Sequence, residues 1–404
     1  MRVISIAGIT AYLLCSHAGA TENYQYRVAF MPDIHFHDVY GEFQDGAFSG
    51  LKNRKSGQRA MIRTMYAQLT STRLFNENYF ALRAALDDAG KKGIKLIALP
   101  GDFSDDGQSV HIRGLVTLLK EYEQKYAMRF FATPGNHDPN RPFDLPDGEE
   151  DFLGQGGKTQ RIFSFGAKEC TGYQGKTALI STGAELPTIC SEEMVSRGYE
   201  YIMKMMSPFG IDPQPEDIYW ETPYSSYGQQ DYTFAKAKQA SDFRQRQYEI
   251  CAQGTGGSYR QPDYGPCFTV ADSSYLVEPI PGLWLLAVDA NVYVPREDAD
   301  LTNPQSAKNF AGSGDAGYNK MLTHKQQVVA WMTSVAMRAK EQKKTLITFS
   351  HFPMVEFDNG AASDLESIFG KGKFQLKRAP KEDTSHALAK TGIAGHVGGH
   401  LHVN

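Results

Sequence analysis

The sequence predicts an α/β fold in which a sheet is layered with helices. Short apolar runs alternate with segments of helical spacing, and polar motifs follow directly after several of the apolar runs. This alternation is typical of sheets covered by helices, and such sheets place their sites where strands end. The chain has 404 residues, 41% hydrophobic and 22% charged, so it can bury a sizeable core in one large domain or two ordinary ones.

Each element is predicted from its local pattern. Apolar runs of strand length occupy residues 26–31, 94–99, 128–133, 283–288 and 345–349. Helical spacing covers residues 76–89, 110–126, 323–341 and 385–390. Asn76 or Asn78 is expected to cap the first helix. Residues 41–57 are rich in Gly, Asn, Ser and charge, which predicts a loop.

Residues 140–275 break this rhythm and are predicted to form an inserted cap. The segment is dense in Gly, Pro, Tyr, Gln and Ser. Structureless loops of this length are rare, so helix is expected within it, at residues 192–206 and 232–252. The expected organisation is a single domain over residues 21–404 that carries this insertion.

Residues 1–20 have the order of features found in a signal peptide. Arg2 precedes an apolar run over residues 3–14 that is too short to span a bilayer, and Ala18-Gly19-Ala20 fits a cleavage site. The alternative is a buried N-terminal strand or helix. We expect a secreted or periplasmic protein that begins near Thr21, with no transmembrane segment.

Four cysteines follow the predicted cleavage site, and an even number in an exported protein suggests disulfides. Three pairings are possible, and four free thiols are the alternative. The prediction is that sequence neighbours pair, Cys170 with Cys190 and Cys251 with Cys267.

The formal net charge of −4 gives no indication of a protein that binds a nucleic-acid polymer. An acidic enzyme can still act on phosphate compounds, because bound metal ions supply local positive charge.

Five polar motifs lie at or near predicted strand ends and contain the ligand types that bind transition metals. They are Asp33-x-His35, Gly101-Asp102, Gly135-Asn136-His137-Asp138, His351 and His400-x-His402. In the two x-spaced motifs, both side chains point to one face if the chain is extended. Asp33-x-His35 and Gly101-Asp102 alone are weak evidence and Gly135-Asn136-His137-Asp138 is more specific, whereas five motifs in this order indicate a metal centre.

The order of these motifs resembles that of the calcineurin-like metallophosphoesterases. The resemblance implies a four-layer α-β-β-α sandwich of two mixed sheets with a dinuclear site at the strand ends. It also implies two metal-ligand sets that share Asp102, namely Asp33, His35, Asp102 and His402 for one ion and Asp102, Asn136, His351 and His400 for the other. Nitrogen and oxygen ligands suit Zn, Mn or Fe.

The resemblance further implies that His137 faces the substrate and protonates the leaving oxygen, with Asp138 orienting its ring. Purple acid phosphatases have a tyrosine three residues after the Gly-Asp carboxylate; Asp105 stands there, which disfavours that subfamily. Only two residues follow His402, where the family has further strands, so either the second sheet is short or the chain continues. His111 is expected to be exposed, and His37 to lie in a solvated turn or line the pocket.

The expected activity is hydrolysis of a small phosphate monoester or diester, such as a nucleotide. Aromatic residues of the insertion could stack a base, or simply pack in the interior: Tyr219, Trp220, Tyr224, Tyr227 and Tyr232. The alternatives are an exported phosphodiesterase for phospholipid or sphingolipid head groups, with surface contact to a membrane, and a non-catalytic binding protein.

Overall fold

The computed structural model describes residues 26–171, 185–314, 317–357, 360–370 and 379–402. The predicted signal peptide lies outside the described residues. Within them, we find no helix with both the length and the apolar character needed to cross a bilayer.

The described residues form sixteen strands and nine α-helices. The strands are β1 (Val28–Phe30), β2 (Leu51–Lys52), β3 (Arg59–Ala60), β4 (Leu96–Pro100), β5 (Arg129–Thr133), β6 (Gly148–Leu153), β7 (Thr159–Phe163), β8 (Glu185–Cys190), β9 (Tyr219–Glu221), β10 (Gln247–Cys251), β11 (Gly254–Thr255), β12 (Cys267–Ala271), β13 (Tyr275–Ile280), β14 (Leu283–Val288), β15 (Thr345–Ser350) and β16 (His396–Val397). The α-helices are α1 (Met65–Thr70), α2 (Phe75–Lys91), α3 (Ser109–Tyr126), α4 (Tyr199–Met205), α5 (Phe234–Ala240), α6 (Gly317–His324), α7 (Gln326–Glu341), α8 (Ala362–Phe369) and α9 (Glu382–Ala389).

Two sheets contain the predicted core strands. One is parallel, in the order β1-β4-β5, and the other is mixed, in the order β16-β15-β14-β13-β9. Every residue of β4 and β14 is buried, as expected for strands covered on both faces. The α/β class and the two-sheet arrangement are confirmed, although the first sheet is parallel in its described strands rather than mixed.

Hydrogen bonds link the two sheets to each other. The Thr133 hydroxyl donates to the carbonyl of Val288 (3.2 Å), and the Tyr275 hydroxyl donates to the carbonyl of Ala132 (3.1 Å). These residues lie at the ends of strands in opposite sheets, so the contacts fix how the strand ends of one sheet face those of the other.

The predicted elements are found with small shifts and two corrections. The first predicted helix is α2, which begins at Phe75 and has no side-chain cap; Asn76 instead accepts a hydrogen bond from the Arg63 amide. The predicted helix 323–341 is split between α6 and α7, because Lys325 is not helical (φ −134°) and its side chain is buried.

The insertion is more strand-rich than predicted. The pairing of Cys170 with Cys190 and of Cys251 with Cys267 is confirmed. Region 232–252 is not one helix but α5 followed by β10, and in region 192–206 the α-helix covers only α4. Strand β9 pairs with β13, so part of the insertion belongs to the core sheet. The predicted loop 41–57 contains β2, which forms a hairpin with β3.

Lys325 is a fully buried cation behind the strand ends. Its Nζ lies 2.6 Å from the carboxylate of Asp272 and donates to the carbonyls of Asp289 (2.7 Å) and Asn291 (3.2 Å). The Asp289 carboxylate is also buried, 3.6 Å from the same nitrogen. The neighbouring carboxylates raise the pKa of Lys325 against the effect of burial, so the amine stays charged.

We expect Lys325→Met to destabilise the fold by about 3–5 kcal/mol, because it leaves buried carboxylates without their counter-charge. Urea unfolding of the metal-free protein measures the change. Lys340→Met, which removes an exposed lysine of α7, should change the free energy of unfolding by less than about 0.5 kcal/mol. Equal stabilities for the two variants would show that the buried carboxylates do not need the charge of Lys325.

Candidate metal centre

All seven residues predicted as metal ligands follow a strand of the two core sheets. Parallel strands end at one edge of a sheet, which brings residues distant in sequence together there. Asp33 and His35 follow β1, Asp102 follows β4, Asn136 follows β5, His351 follows β15, and His400 and His402 follow β16.

The first group of donor atoms joins the two sheets. One ligand atom from each of Asp33, His35, Asp102 and His402 lies within 4.8 Å of the others. The Nε2 atoms of His35 and His402 are 2.9 Å apart. Nε2 of His402 is also 3.2 Å from Asp33 Oδ1, and Nε2 of His35 is 3.5 Å from Asp102 Oδ2.

The second group contains Asp102 again, with His351 and His400. Nε2 of His351 lies 3.2 Å from Asp102 Oδ2 and 2.9 Å from Nδ1 of His400. The amide oxygen of Asn136 is 3.0 Å from the same Nε2 of His351. Oδ2 of Asp102 therefore faces both groups.

The donor atoms fit metal ions. In each group, two imidazole rings face each other through one ring nitrogen. A facing nitrogen that carries no proton presents a lone pair, which a metal ion can accept. Burial lowers the pKa of His35 to about 4, although Asp102 opposes the shift, so the ring stays neutral. Neutral imidazole is the ligand form, and mixed nitrogen and oxygen donors suit Zn, Mn or Fe.

The backbone at these positions adopts an uncommon conformation. Five of the seven residues have φ in the left-handed region: Asp33 (52°), His35 (42°), Asp102 (47°), His400 (78°) and His402 (47°). Asp and His enter this region more readily than most residues, yet each such residue costs about 1–3 kcal/mol. Strain of this kind persists where the surrounding structure enforces it, and it clusters at functional sites.

Glycines permit the close approach of the ligand loops. A Cβ on Gly135 would lie 2.1 Å from Asp102 Oδ1, and a Cβ on Gly399 would lie 2.1 Å from Asp33 Oδ2. These glycines directly precede Asn136 and His400, so the absence of a side chain lets each loop reach the carboxylate opposite it.

His137 lies beside the two groups and is held at both ends. Its backbone N–H donates to Asp102 Oδ1 (2.9 Å), and its ring Nδ1 forms a short hydrogen bond with Asp106. Burial opposes protonation of the ring, but the carboxylates of Asp106 and Asp102 raise its pKa to about 9. The side chain is 29% exposed, so it remains accessible from outside.

The prediction that Asp138 orients His137 is wrong. Asp138 turns away from the ring and accepts hydrogen bonds from the backbone amides of Ser104 and Gly135, both at 3.0 Å. It closes the turn that carries Asn136, whereas Asp106 is the carboxylate that contacts the ring. Residues 101–106 contain three aspartates, and the local sequence does not show which of their carboxylates contacts His137.

Several supporting contacts were not predicted. Thr72 Oγ1 lies 2.9 Å from His402 Nδ1, and Asn78 donates to the carbonyl of His35 (3.2 Å). Asn291, which follows β14, donates to the carbonyl of Gly135 (2.9 Å). These bonds position ligand-bearing segments from outside the metal groups.

His37 and His111 are fully buried, which corrects the prediction that His111 is exposed and that His37 lies in a solvated turn or lines the pocket. Nδ1 of His37 lies 3.2 Å from the carboxylate of Asp105. Asp105 also accepts from Arg63 (3.1 Å) and Arg73 (2.9 Å), which already supply its counter-charge. We therefore do not assign a metal ion to His37, Asp105 and His111, although their side chains lie close together.

The model of the calcineurin-like phosphoesterase family matches residues 26–221. This segment carries Asp33, His35, Asp102 and Asn136, and the structure adds His351, His400 and His402 from beyond it. Residues 26–221 therefore resemble the calcineurin-like phosphoesterases, and the class of enzyme that this match supports is a phosphoester hydrolase.

No curated protein matches the chain. Among solved structures, a dimetal phosphatase from Danio rerio aligns over 93% of this chain and 81% of its own, with 10% sequence identity and a TM-score of 0.37.

We expect Gly135→Ala to lower the metal content of the purified protein, because the new Cβ would displace Asp102 from both groups. Elemental analysis by mass spectrometry measures the ions per chain. Gly395→Ala is the matched control, since a Cβ there meets nothing within 4 Å. Full metal content in the Gly135 variant would show that Asp102 does not need its observed position.

Proposed function

We propose that the chain hydrolyses phosphate esters with two metal ions. One ion is held by Asp33, His35, Asp102 and His402, and the other by Asp102, Asn136, His351 and His400. The observation that carries the proposal is the position of Asp102, whose one carboxylate oxygen faces both groups of donors.

The site offers two kinds of chemistry. Metal ions bound there would supply positive charge for the phosphoryl oxygens and for activation of a water molecule. The chain itself supplies His137. Its ring is accessible, and because its pKa is raised to about 9, the ring is protonated at neutral pH. We assign to His137 the hydrogen bond to a phosphoryl oxygen and the proton that the leaving oxygen takes up.

Asp106 positions this acid in place of Asp138. It holds Nδ1 of His137, which leaves Nε2 to face the substrate. Arg73 donates to the second carboxylate oxygen of Asp106 (3.0 Å), so the carboxylate is anchored on both sides. Outer carboxylates of this kind fix the tautomer and the orientation of a ring.

Three of the five aromatic residues considered for base stacking do not support such a role. Tyr219 and Trp220 are buried, with exposed fractions of 2% and 0%, and they stack on Trp284 and Tyr275 in the core. Tyr227 is also buried. These rings have no free face for a nucleotide base and none for a membrane, so the proposed substrate is a small phosphate ester without further assignment.

Two features bear on the remaining alternatives. The complete set of seven donors favours catalysis over a non-catalytic binding role. The two disulfides favour an oxidising compartment, which supports the proposal that the chain is secreted or periplasmic.

We expect Asp102→Asn to lose both metals and at least about a thousandfold in kcat, since bound ions supply several kcal/mol of transition-state stabilisation. Metal content and hydrolysis of bis-p-nitrophenyl phosphate and p-nitrophenyl phosphate are measured on one preparation. Asp298→Asn, at an exposed position, is the control. A wild-type protein that neither binds Mn or Zn nor hydrolyses either compound would refute the proposal.

His137→Asn should retain its metals but lose about 10²–10⁴-fold in kcat on phenyl phosphate, because that leaving oxygen needs a proton. The loss on p-nitrophenyl phosphate should be smaller, since its leaving oxygen is stable as an anion. Asp106→Asn should show the same dependence on leaving group with a loss of about 10–100-fold. Asp138→Asn should lower the free energy of unfolding without showing this dependence on the leaving group. Equal losses on both compounds in the His137 variant would exclude an acid role.

A further inference from the structure

One stretch of the chain departs from its acidic character. Residues 46–76 contain six Lys or Arg residues and no Asp or Glu, in a chain whose formal net charge is −4. Four of the six basic residues lie on the hairpin of β2 and β3 and are exposed: Lys52, Arg54, Lys55 and Arg59. Within the described residues, none of these four forms an ion pair, so their charge is available to a partner.

The same stretch exposes apolar side chains. On α1, Met65, Tyr66 and Leu69 have exposed fractions of 66%, 75% and 77%, and they share one face because helical residues four apart are neighbours. Leu74, beyond the helix, is 56% exposed. Single exposed apolar residues are ordinary, whereas a group of this size on one short segment marks an interaction surface.

This surface adjoins the metal centre. Helix α1 ends at Thr70, and Thr72 then contacts His402 (2.9 Å), a proposed ligand. Arg73 follows and donates to Asp106 (3.0 Å), the partner of His137. Whatever binds to the exposed face of α1 is therefore held beside the site.

We propose that the hairpin and α1, residues 51–74, dock on an anionic lipid bilayer and present phosphate esters at its surface to the metal centre. The docking stands on the surface alone, while the substrate class rests on the proposed function. Basic residues attract anionic head groups, and apolar side chains enter the head-group region. A soluble polyanion would use the basic residues but would have no use for Met65, Tyr66 and Leu69.

The test is co-sedimentation of the full chain with vesicles of phosphatidylcholine containing phosphatidylserine, and with phosphatidylcholine alone. We expect binding to the anionic vesicles only. Replacing Lys52, Arg54 and Lys55 with Gln should weaken it about a hundredfold, at about fivefold for each charge. The matched control neutralises Lys91, Lys95 and Lys340, which are exposed elsewhere, and should leave binding within about twofold of wild type.

A second pair of variants tests the apolar face. Met65→Ser with Leu69→Ser should weaken vesicle binding about tenfold or more, whereas Leu301→Ser with Met337→Ser, at comparably exposed positions, should not. Heparin binding should be unchanged by the Met65 and Leu69 substitutions. Loss of heparin binding in parallel with vesicle binding, or equal binding to both vesicle types, would overturn the inference.

Activity on p-nitrophenyl phosphate separates this inference from the proposed function. The docking variants should retain it, because none of the replaced residues belongs to the metal centre. A chain that hydrolyses the soluble ester but sediments with neither vesicle retains the proposed function and loses the docking surface. A chain that binds anionic vesicles but hydrolyses neither soluble ester retains the docking surface and loses the proposed function.

Discussion

The site is organised around the buried carboxylate of Asp102. One of its oxygens faces His35 and His351, which belong to different donor groups, and the other accepts the backbone N–H of His137. A carboxylate 2% exposed is costly to bury unless cations or hydrogen bonds compensate it. Two metal ions would provide that compensation, and the left-handed backbone of Asp102 is the conformation that brings the carboxylate to this position.

The position of Asp102 depends on how the two sheets face each other. Its own strand belongs to the parallel sheet, whereas His351, His400 and His402 come from the mixed sheet. Hydrogen bonds across the sheets, such as that from Asn291 to the Gly135 carbonyl, hold the two halves together. The buried ion pairs of Lys325 fix the segment that carries Asn291. The interior charges therefore preserve the geometry on which the donor groups depend.

A second charged network supports His137 from the side of the insertion. Asp105 pairs with Arg63 and Arg73, and Arg63 also binds Glu149 of β6 (2.6 Å). The hydrogen bond with His37 and the charges of Arg73 and Arg63 hold the pKa of Asp105 well below its usual range despite burial, so it remains ionised. The adjacent Asp106 is thereby fixed where it can hold the His137 ring. The insertion contributes to the site through this network, since Glu149 belongs to it.

The core strands and most of the helices could be predicted from local sequence patterns, and the same patterns indicated the seven residues proposed as ligands. Hydrophobic periodicity is local, and motifs such as Asp33-x-His35 directly follow the strands that position them. The neighbouring-cysteine pairing was also correct, because each pair closes a short stretch of chain. Three findings required the folded structure: Asp106 rather than Asp138 holds His137, His111 is buried, and β9 joins the core sheet. These outcomes depend on contacts between segments distant in sequence or on the packing of whole elements, and no local pattern records such contacts.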